Sequence, residues 1–269
     1  MGYQQVVSGA AGEVRGAGAS KGVALTTTAA FTALPLGTNY VTLMPRNAAT
    51  AVVVRYALNP WLIIVKTTDA FAAVGNATDY SEEAQDGSTA TLVTLSSLST
   101  AANDDYLYVG AHVPFRGVDI DVNATNGNAS VLTVKYRKND KTWADITETD
   151  GTTSGGATLA QDGTVTWTVP TDWLSASLRS IGADGFNPNV ALYWTRWEVS
   201  AALDASVTLS HMLALNRSTT YAEFPTSLGK EFFIKQGVGG TGCIEALTDA
   251  GTANLVIEAA TLNTETKFR

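Results

Sequence analysis

Short runs of alternating apolar and polar residues recur along the chain, separated by turn signals. In GVDIDV, Val118, Ile120 and Val122 share one face while Asp119 and Asp121 take the other. In VLTVKYR, Leu132, Val134 and Tyr136 alternate with Thr133, Lys135 and Arg137. TVTWTV sets Val165, Trp167 and Val169 against Thr164, Thr166 and Thr168. In YWTRWEV, Tyr193, Trp197 and Val199 lie opposite Trp194, Arg196 and Glu198, and Val207 and Leu209 continue the scheme in SVTLSHML. Successive side chains of a strand point to opposite faces, so a period of two predicts strands with one face in a core. Asn126-Gly127, Asp150-Gly151, Gly155-Gly156, Asp162-Gly163 and Asp184-Gly185 punctuate these runs as turns. Long segments of helical period are missing, which sets aside a helix-rich α/β enzyme. The expected fold is all-β: an antiparallel β-sandwich or jelly roll, with a second, smaller β region formed by the N- and C-terminal segments.

The pattern divides the chain into four parts. Residues 1–21 are rich in Gly, Ala and Ser without apolar periodicity and predict a flexible N-terminal arm. Residues 22–85 predict an N-terminal β region through VALTTTAAF, NYVTLM, TAVVVRYAL and Trp61–Val65. There Val52, Val54, Tyr56 and Leu58 share one face, Arg55 takes the other, and Asn59-Pro60 interrupts. DAFAAVGNATDYSEEAQDGST reads as a connector with one helical turn. Residues 86–216 form the sandwich. Residues 217–269 supply closing strands, EFFIKQ and NLVIEAA, that return to the N-terminal region. No fixed-period repeat is present.

Composition then narrows the function. Only 16% of the 269 residues are charged, fewer than in an average soluble domain, which suggests that neighbours cover part of the surface. The net charge is −8 and basic runs are absent, which argues against a nucleic-acid partner. A single cysteine, Cys243, excludes an intramolecular disulfide framework and a cysteine-based zinc site. The start MGYQQVVSGAAGEVRG lacks a basic segment followed by an apolar core, so no signal peptide is expected, and Val6 stands where a myristoylation signal needs Ser or Thr. The longest apolar run, around Trp61–Val65, is too short to cross a bilayer, so no membrane partner is expected. The sequons at Asn76, Asn123, Asn128 and Asn216 are expected by chance in a chain rich in Asn, Ser and Thr.

Motifs for chemistry give way to plainer readings. Gly18-Ala19-Ser20-Lys21-Gly22 spells a nucleophile elbow, but it lacks the preceding strand and following helix that such a serine needs. Gly237-Val238-Gly239-Gly240-Thr241-Gly242 follows the strand-like EFFIKQ and spells a dinucleotide fingerprint, with Glu258 where a ribose-binding acid would stand. The following CIEALTDAGTAN makes only a weak, short helix, and too little chain remains for a parallel nucleotide-binding sheet. A glycine-rich turn between antiparallel strands is the simpler reading. Asp119 and Asp121, with Asp104 and Asp105 upstream, suit either a solvated strand face or a calcium or glycosidase site. Trp167 and Trp197 read as core. Trp143, beside a turn, and Trp194, opposite the core face of its strand, are candidates for contact with a glycan or a neighbouring subunit. No catalytic residue, cofactor site or metal site is assigned, and an enzyme is not expected.

The run YLYVGAHVPFRGVDIDV, then NGNASVLTVKYRKNDKTWADI, DGTVTWTVPTDW and YWTRWEVSAALDASVTLSHML, resembles a module of tailed-bacteriophage virion proteins. The resemblance covers roughly residues 86–216, and TLMPRNAATAVVVRYALNPWLIIVKT is similar to the leading part of such proteins. It implies a structural virion protein that is symmetric and oligomeric, with capsid or tail subunits as partners. Capsid decoration, head-fibre and tail positions all remain open, as does a receptor module for host-surface glycan. The matching positions Pro114, Phe115, Trp143, Trp167, Trp173, Trp194 and Trp197 are scaffold, so no functional residue is carried over. The chain departs from long tail fibres in lacking heptads and a repetitive shaft, and from depolymerase tailspikes in lacking an acidic cluster.

Overall fold

The computed structural model describes residues 5–6, 13–15, 22–96, 98–182 and 190–263. The fold is all-β, with antiparallel sheets packed against one another; among the described residues helix is limited to 3-10 turns, the longest at Leu178–Ile181. The chain divides into two compact units, one of residues 1–58 and 219–269, the other of residues 59–218. Residues 59–85, which the sequence groups with the N-terminal β region, fall in the second unit. The reason is Leu62–Thr67, which pairs with Tyr106–Ala111 along its whole length. That strand is apolar on both sides, as a strand covered on both faces must be.

The second unit is a sandwich. Its first sheet has the order Trp143–Asp145, Leu132–Arg137, Leu192–Val199, Tyr106–Ala111, Leu62–Thr67, Ala77–Asp79, with Ser175–Ala176 pairing beside Leu192–Val199. The second has the order Thr149–Asp150, Gly163–Thr166, Gly117–Ala124, Thr208–Ala214, Val93–Thr94. The core between them takes Val118, Ile120 and Val122 from one side and Leu132, Val134, Trp197 and Val199 from the other, as the alternation requires. Trp167 and Trp197 meet edge to face at 6.5 Å. Their indole N–H groups donate to the Phe115 carbonyl and the Thr195 hydroxyl, so neither ring buries an unpaired donor.

The first sheet is buried on its other face as well. Trp61, Ile63, Val65, Tyr106, Tyr108, Leu192 and Trp194 form a second core with Phe71, Ala176 and Leu178 from the connecting segments. Trp194 lies over Gly110, its register partner. A Cβ added to Gly110 would stand 2.5 Å from the Trp194 ring, so only glycine leaves room for the indole. The Trp194 N–H donates to the Ala176 carbonyl at 2.7 Å, which ties the covering segment to the ring.

The first unit draws its strands from both ends of the chain. Tyr40–Ala49 pairs with Thr252–Ala260, and Lys230–Phe233 continues that sheet beyond Tyr40–Ala49. Val23–Leu25 and Glu13–Arg15 pair with Thr252–Ala260 from its other edge. The neighbouring sheet has the order Ala222–Pro225, Val53–Pro60, Thr241–Thr248, Ala30–Ala33. Leu25, Leu34, Val41, Leu43, Val54, Ile244, Leu255 and Ile257 make its core. Thr241–Thr248 is a strand where CIEALT suggests a weak helix, because its buried side chains, Cys243, Ile244, Glu245, Ala246 and Thr248, point to both faces. Of the face expected from Val52, Val54, Tyr56 and Leu58, only Val54 and Tyr56 pack inward, while Val52 and Leu58 are exposed. The expected flexible arm lies outside the described residues except for two short pairings, Glu13–Arg15 with residues 257–259 and Gln5–Val6 with Leu262–Asn263.

Replacing Gly110 with Ala should lower stability by about 1–3 kcal/mol through overpacking against Trp194. A denaturant midpoint unchanged from wild type would mean that the ring moves aside freely.

Candidate functional site

The outer face of the first sheet gathers the chemistry that its strands carry away from the inner core. Across neighbouring strands Lys135 stands opposite Arg196, and Arg196 opposite Tyr108. One register step on, Arg137 stands opposite Trp143. Like charges opposite one another repel, so the Lys135–Arg196 pair needs an anion. Glu198 supplies it, two residues along from Arg196 on the same face. Its carboxylate accepts from Lys135 Nζ at 2.7 Å and from Arg196 Nη2 at 2.6 Å. Glu198 is buried, so these bonds form where water screens them little.

Aromatic rings enclose the Arg196 guanidinium. It sits 4.4 Å from the Tyr106 ring centroid and 5.0 Å from that of Trp143, and Arg137 lies 5.6 Å from Trp143 on its own account. Tyr108 meets Trp143 edge to face at 5.7 Å and Phe71 at 4.8 Å. Burial pushes the Tyr108 hydroxyl up to about 12, with the Arg196 charge opposing the shift. Burial likewise lowers the Arg137 guanidinium, and the neighbouring Arg196 charge adds to that lowering.

The two tryptophans named as contact candidates fare differently. Trp194 is fully buried, so it offers no surface to a glycan or subunit. The face opposite the core strand face is itself a core, because residues 174–182 fold over it. Trp143 is half-buried, with Arg137 and Arg196 stacked on its ring. Sequence alone marked Trp143 but missed its neighbour Tyr108 and the partners of Arg196, Tyr106 and Glu198. The one signal available was that Lys135, Arg137, Arg196 and Glu198 all occupy the non-core positions of their strands.

Other candidates are placed plainly. Asp119 and Asp121 sit on the outer face of the second sheet with His211 between them. Its Nε2 is 3.0 Å from Asp119 Oδ2 and its Nδ1 is 3.9 Å from Asp121 Oδ2. Asp105 belongs instead to the first sheet's side, buried, accepting the Ser99 N–H at 2.7 Å. Among the described residues no group of three or more His, Cys, Asp or Glu side chains is placed to hold a metal ion. The glycine cluster is a turn closed by the Gly240 N–H on the Gly237 carbonyl at 2.8 Å, but the strands it joins, Lys230–Phe233 and Thr241–Thr248, belong to two different sheets and are not the antiparallel pair expected. Ser20 lies outside the described residues. A cleft of about 460 Å³ opens on the sandwich between Pro114, Val169, Pro170, Trp173, Tyr193 and Arg217.

Exposed apolar side chains are unevenly shared. Among the described residues eight large ones are strongly exposed, and six belong to the smaller first unit: Leu36, Val52, Leu58, Leu228, Phe233 and Val238. Val52, Leu228 and Phe233 are 65%, 61% and 60% exposed. Gln236 bonds the main chain at Leu34 and Thr38, which brings the Leu36 turn beside the 233–238 segment. Thr226 bonds Val52 in the same way near Leu228. Two apolar patches thus border the Lys230–Phe233 edge strand.

No protein-family model matches the chain, and a search of curated proteins finds none similar to it.

Two outcomes follow for the Arg–aromatic face. Tyr108 ionises near 10 when unfolded and near 12 when folded. This group leaves stability unchanged below pH 10 and lowers it, by about 3 kcal/mol in all, as pH rises through 12. Tyr108→Phe should therefore flatten the stability profile between pH 10 and 12, measured by chemical denaturation. Glu198→Gln should cost about 3 kcal/mol, because it leaves Lys135 and Arg196 opposed without their anion.

Proposed function

We propose that this chain is a non-enzymatic structural protein of a tailed-bacteriophage virion, attached to the particle as a decoration or cement-type subunit. The resemblance of residues 86–216 to virion modules supports the class. The observation that carries the assembly role is the uneven surface: six of the eight exposed large apolar side chains belong to the smaller, terminal unit. An apolar surface of that kind on a folded unit marks a contact with another protein. The larger sandwich keeps its aromatic residues in two cores, which suits a module that projects from the particle. In this reading the first unit and the arm of residues 1–21 engage neighbouring subunits, including copies of the chain itself. A glycan-receptor role resting on Trp143 and Trp194 has less support, since one ring is buried and the other is stacked by arginines.

Mass spectrometry of gradient-purified particles should find the chain as a stoichiometric component, and its absence from particles would sink the reading. The double variant Leu228→Asp, Phe233→Asp should keep its fold by circular dichroism yet incorporate at least tenfold less. Deleting residues 1–21 should also weaken attachment. Full incorporation of both variants would place the attachment surface elsewhere.

A further inference from the structure

We infer that Arg137, with Trp143 and Arg196 beside it, forms a binding site for a carboxylate group brought by another molecule. The first ground is charge. Lys135, Arg137 and Arg196 occupy adjacent register positions on one sheet face, in a chain whose net charge is −8. Among the described residues Glu198 is the only carboxylate bonded to any of them, and it is already shared by Lys135 and Arg196. Arg137 has no carboxylate within ion-pairing distance among the described residues.

The second ground is the state of the Arg137 side chain. Its Nε is shielded from solvent without a hydrogen-bond partner, and the rest of its guanidinium bonds to no described residue. The nearby carboxylates are committed elsewhere. Asp140 accepts from the Thr142 N–H and hydroxyl and pairs with Lys138 at 3.6 Å. Asp145, opposite Lys135, accepts the Thr147 N–H at 2.8 Å. The Arg137 Nη groups are left to water, and an external carboxylate would replace that water with a charge-assisted pair that no described side chain supplies. Burial depresses the Arg137 guanidinium in the same sense.

The third ground is geometry. Stacking on Trp143 holds the Arg137 guanidinium in place before any ligand arrives, which lowers the entropy lost on binding. A planar carboxylate suits the guanidinium fork, and the half-buried indole gives an apolar wall for the methylene groups that carry it. Acidic side chains of a polypeptide and small free acids both present this group. The inference stands whether or not the chain belongs to a virion.

The test uses the full chain labelled with ¹⁵N, titrated with glutarate or with a hexaglutamate peptide against sodium chloride of equal ionic strength. The Trp143 indole N–H cross-peak, assigned with Trp143→Phe, should shift saturably. Arg137→Gln should bind at least tenfold more weakly, while Arg217→Gln, on the cleft of the same unit, should bind as wild type does. Where Arg137→Gln does not fold, Arg137→Lys keeps the charge without the fork and should still bind at least threefold more weakly. Saturation by both probes assigns the site to free acids as well as peptides, and saturation by the peptide alone assigns it to polypeptide carboxylates. A shift no larger than that in sodium chloride, or equal affinity in the folded Arg137 variant, overturns the inference.

Discussion

The centre of the sheet built on Tyr106–Ala111 and Leu192–Val199 is covered on both faces. Its inner face meets the second sheet through Trp197 and Val199, and its outer face meets residues 174–182 through Trp194. The outer contact depends on one absent side chain, since Gly110 alone lets the indole lie flat on the strand. With the ring in place, the Ala176 carbonyl takes its N–H and the covering segment is anchored by Ser175–Ala176 pairing beside Leu192–Val199. Tyr108, Trp143 and the arginines then pack at the edge of this second core.

Much of this was legible in the alternation. Val118, Ile120, Val122, Leu132, Val134, Val165, Trp167 and Trp197 are buried where a period of two puts them. The pattern says nothing of what covers the opposite face, and that is why Trp194 looked available. Trp61–Val65 misled for a related reason: a run with no alternation fits a strand covered on both faces but does not name its partner. Val52, just before the strand, and Leu58, within it, keep the period yet are exposed. The arginine cluster was beyond reach, because register between distant strands decides that Arg196 falls between Lys135 and Tyr108.

The same rule separates the two units in kind. In the sandwich, most apolar side chains are consumed by two cores, with Val131 and Val190 exposed, and the outer face of the first sheet carries charge organised around rings. In the terminal unit one modest core leaves Val52, Leu228 and Phe233 in water beside a four-residue edge strand. An edge strand flanked by apolar groups invites pairing with another chain unless something covers it. A sandwich that presents cations and a terminal unit that presents hydrocarbon are suited to different kinds of neighbour.

The interleaving of the two chain ends also sets an order in time. Residues 59–218 contain every strand of the sandwich, so that unit can close while the rest of the chain is still being made. The terminal unit cannot, because Tyr40–Ala49 must wait for Thr252–Ala260 to leave the ribosome before its ladder forms. Pairings of such sequence separation carry a large loop-closure cost when the intervening chain is loose, and a small one once a folded sandwich holds its ends near each other. The apolar surface of the terminal unit is therefore the last to be built. A newly made chain stays without it until synthesis has passed the strand that completes it.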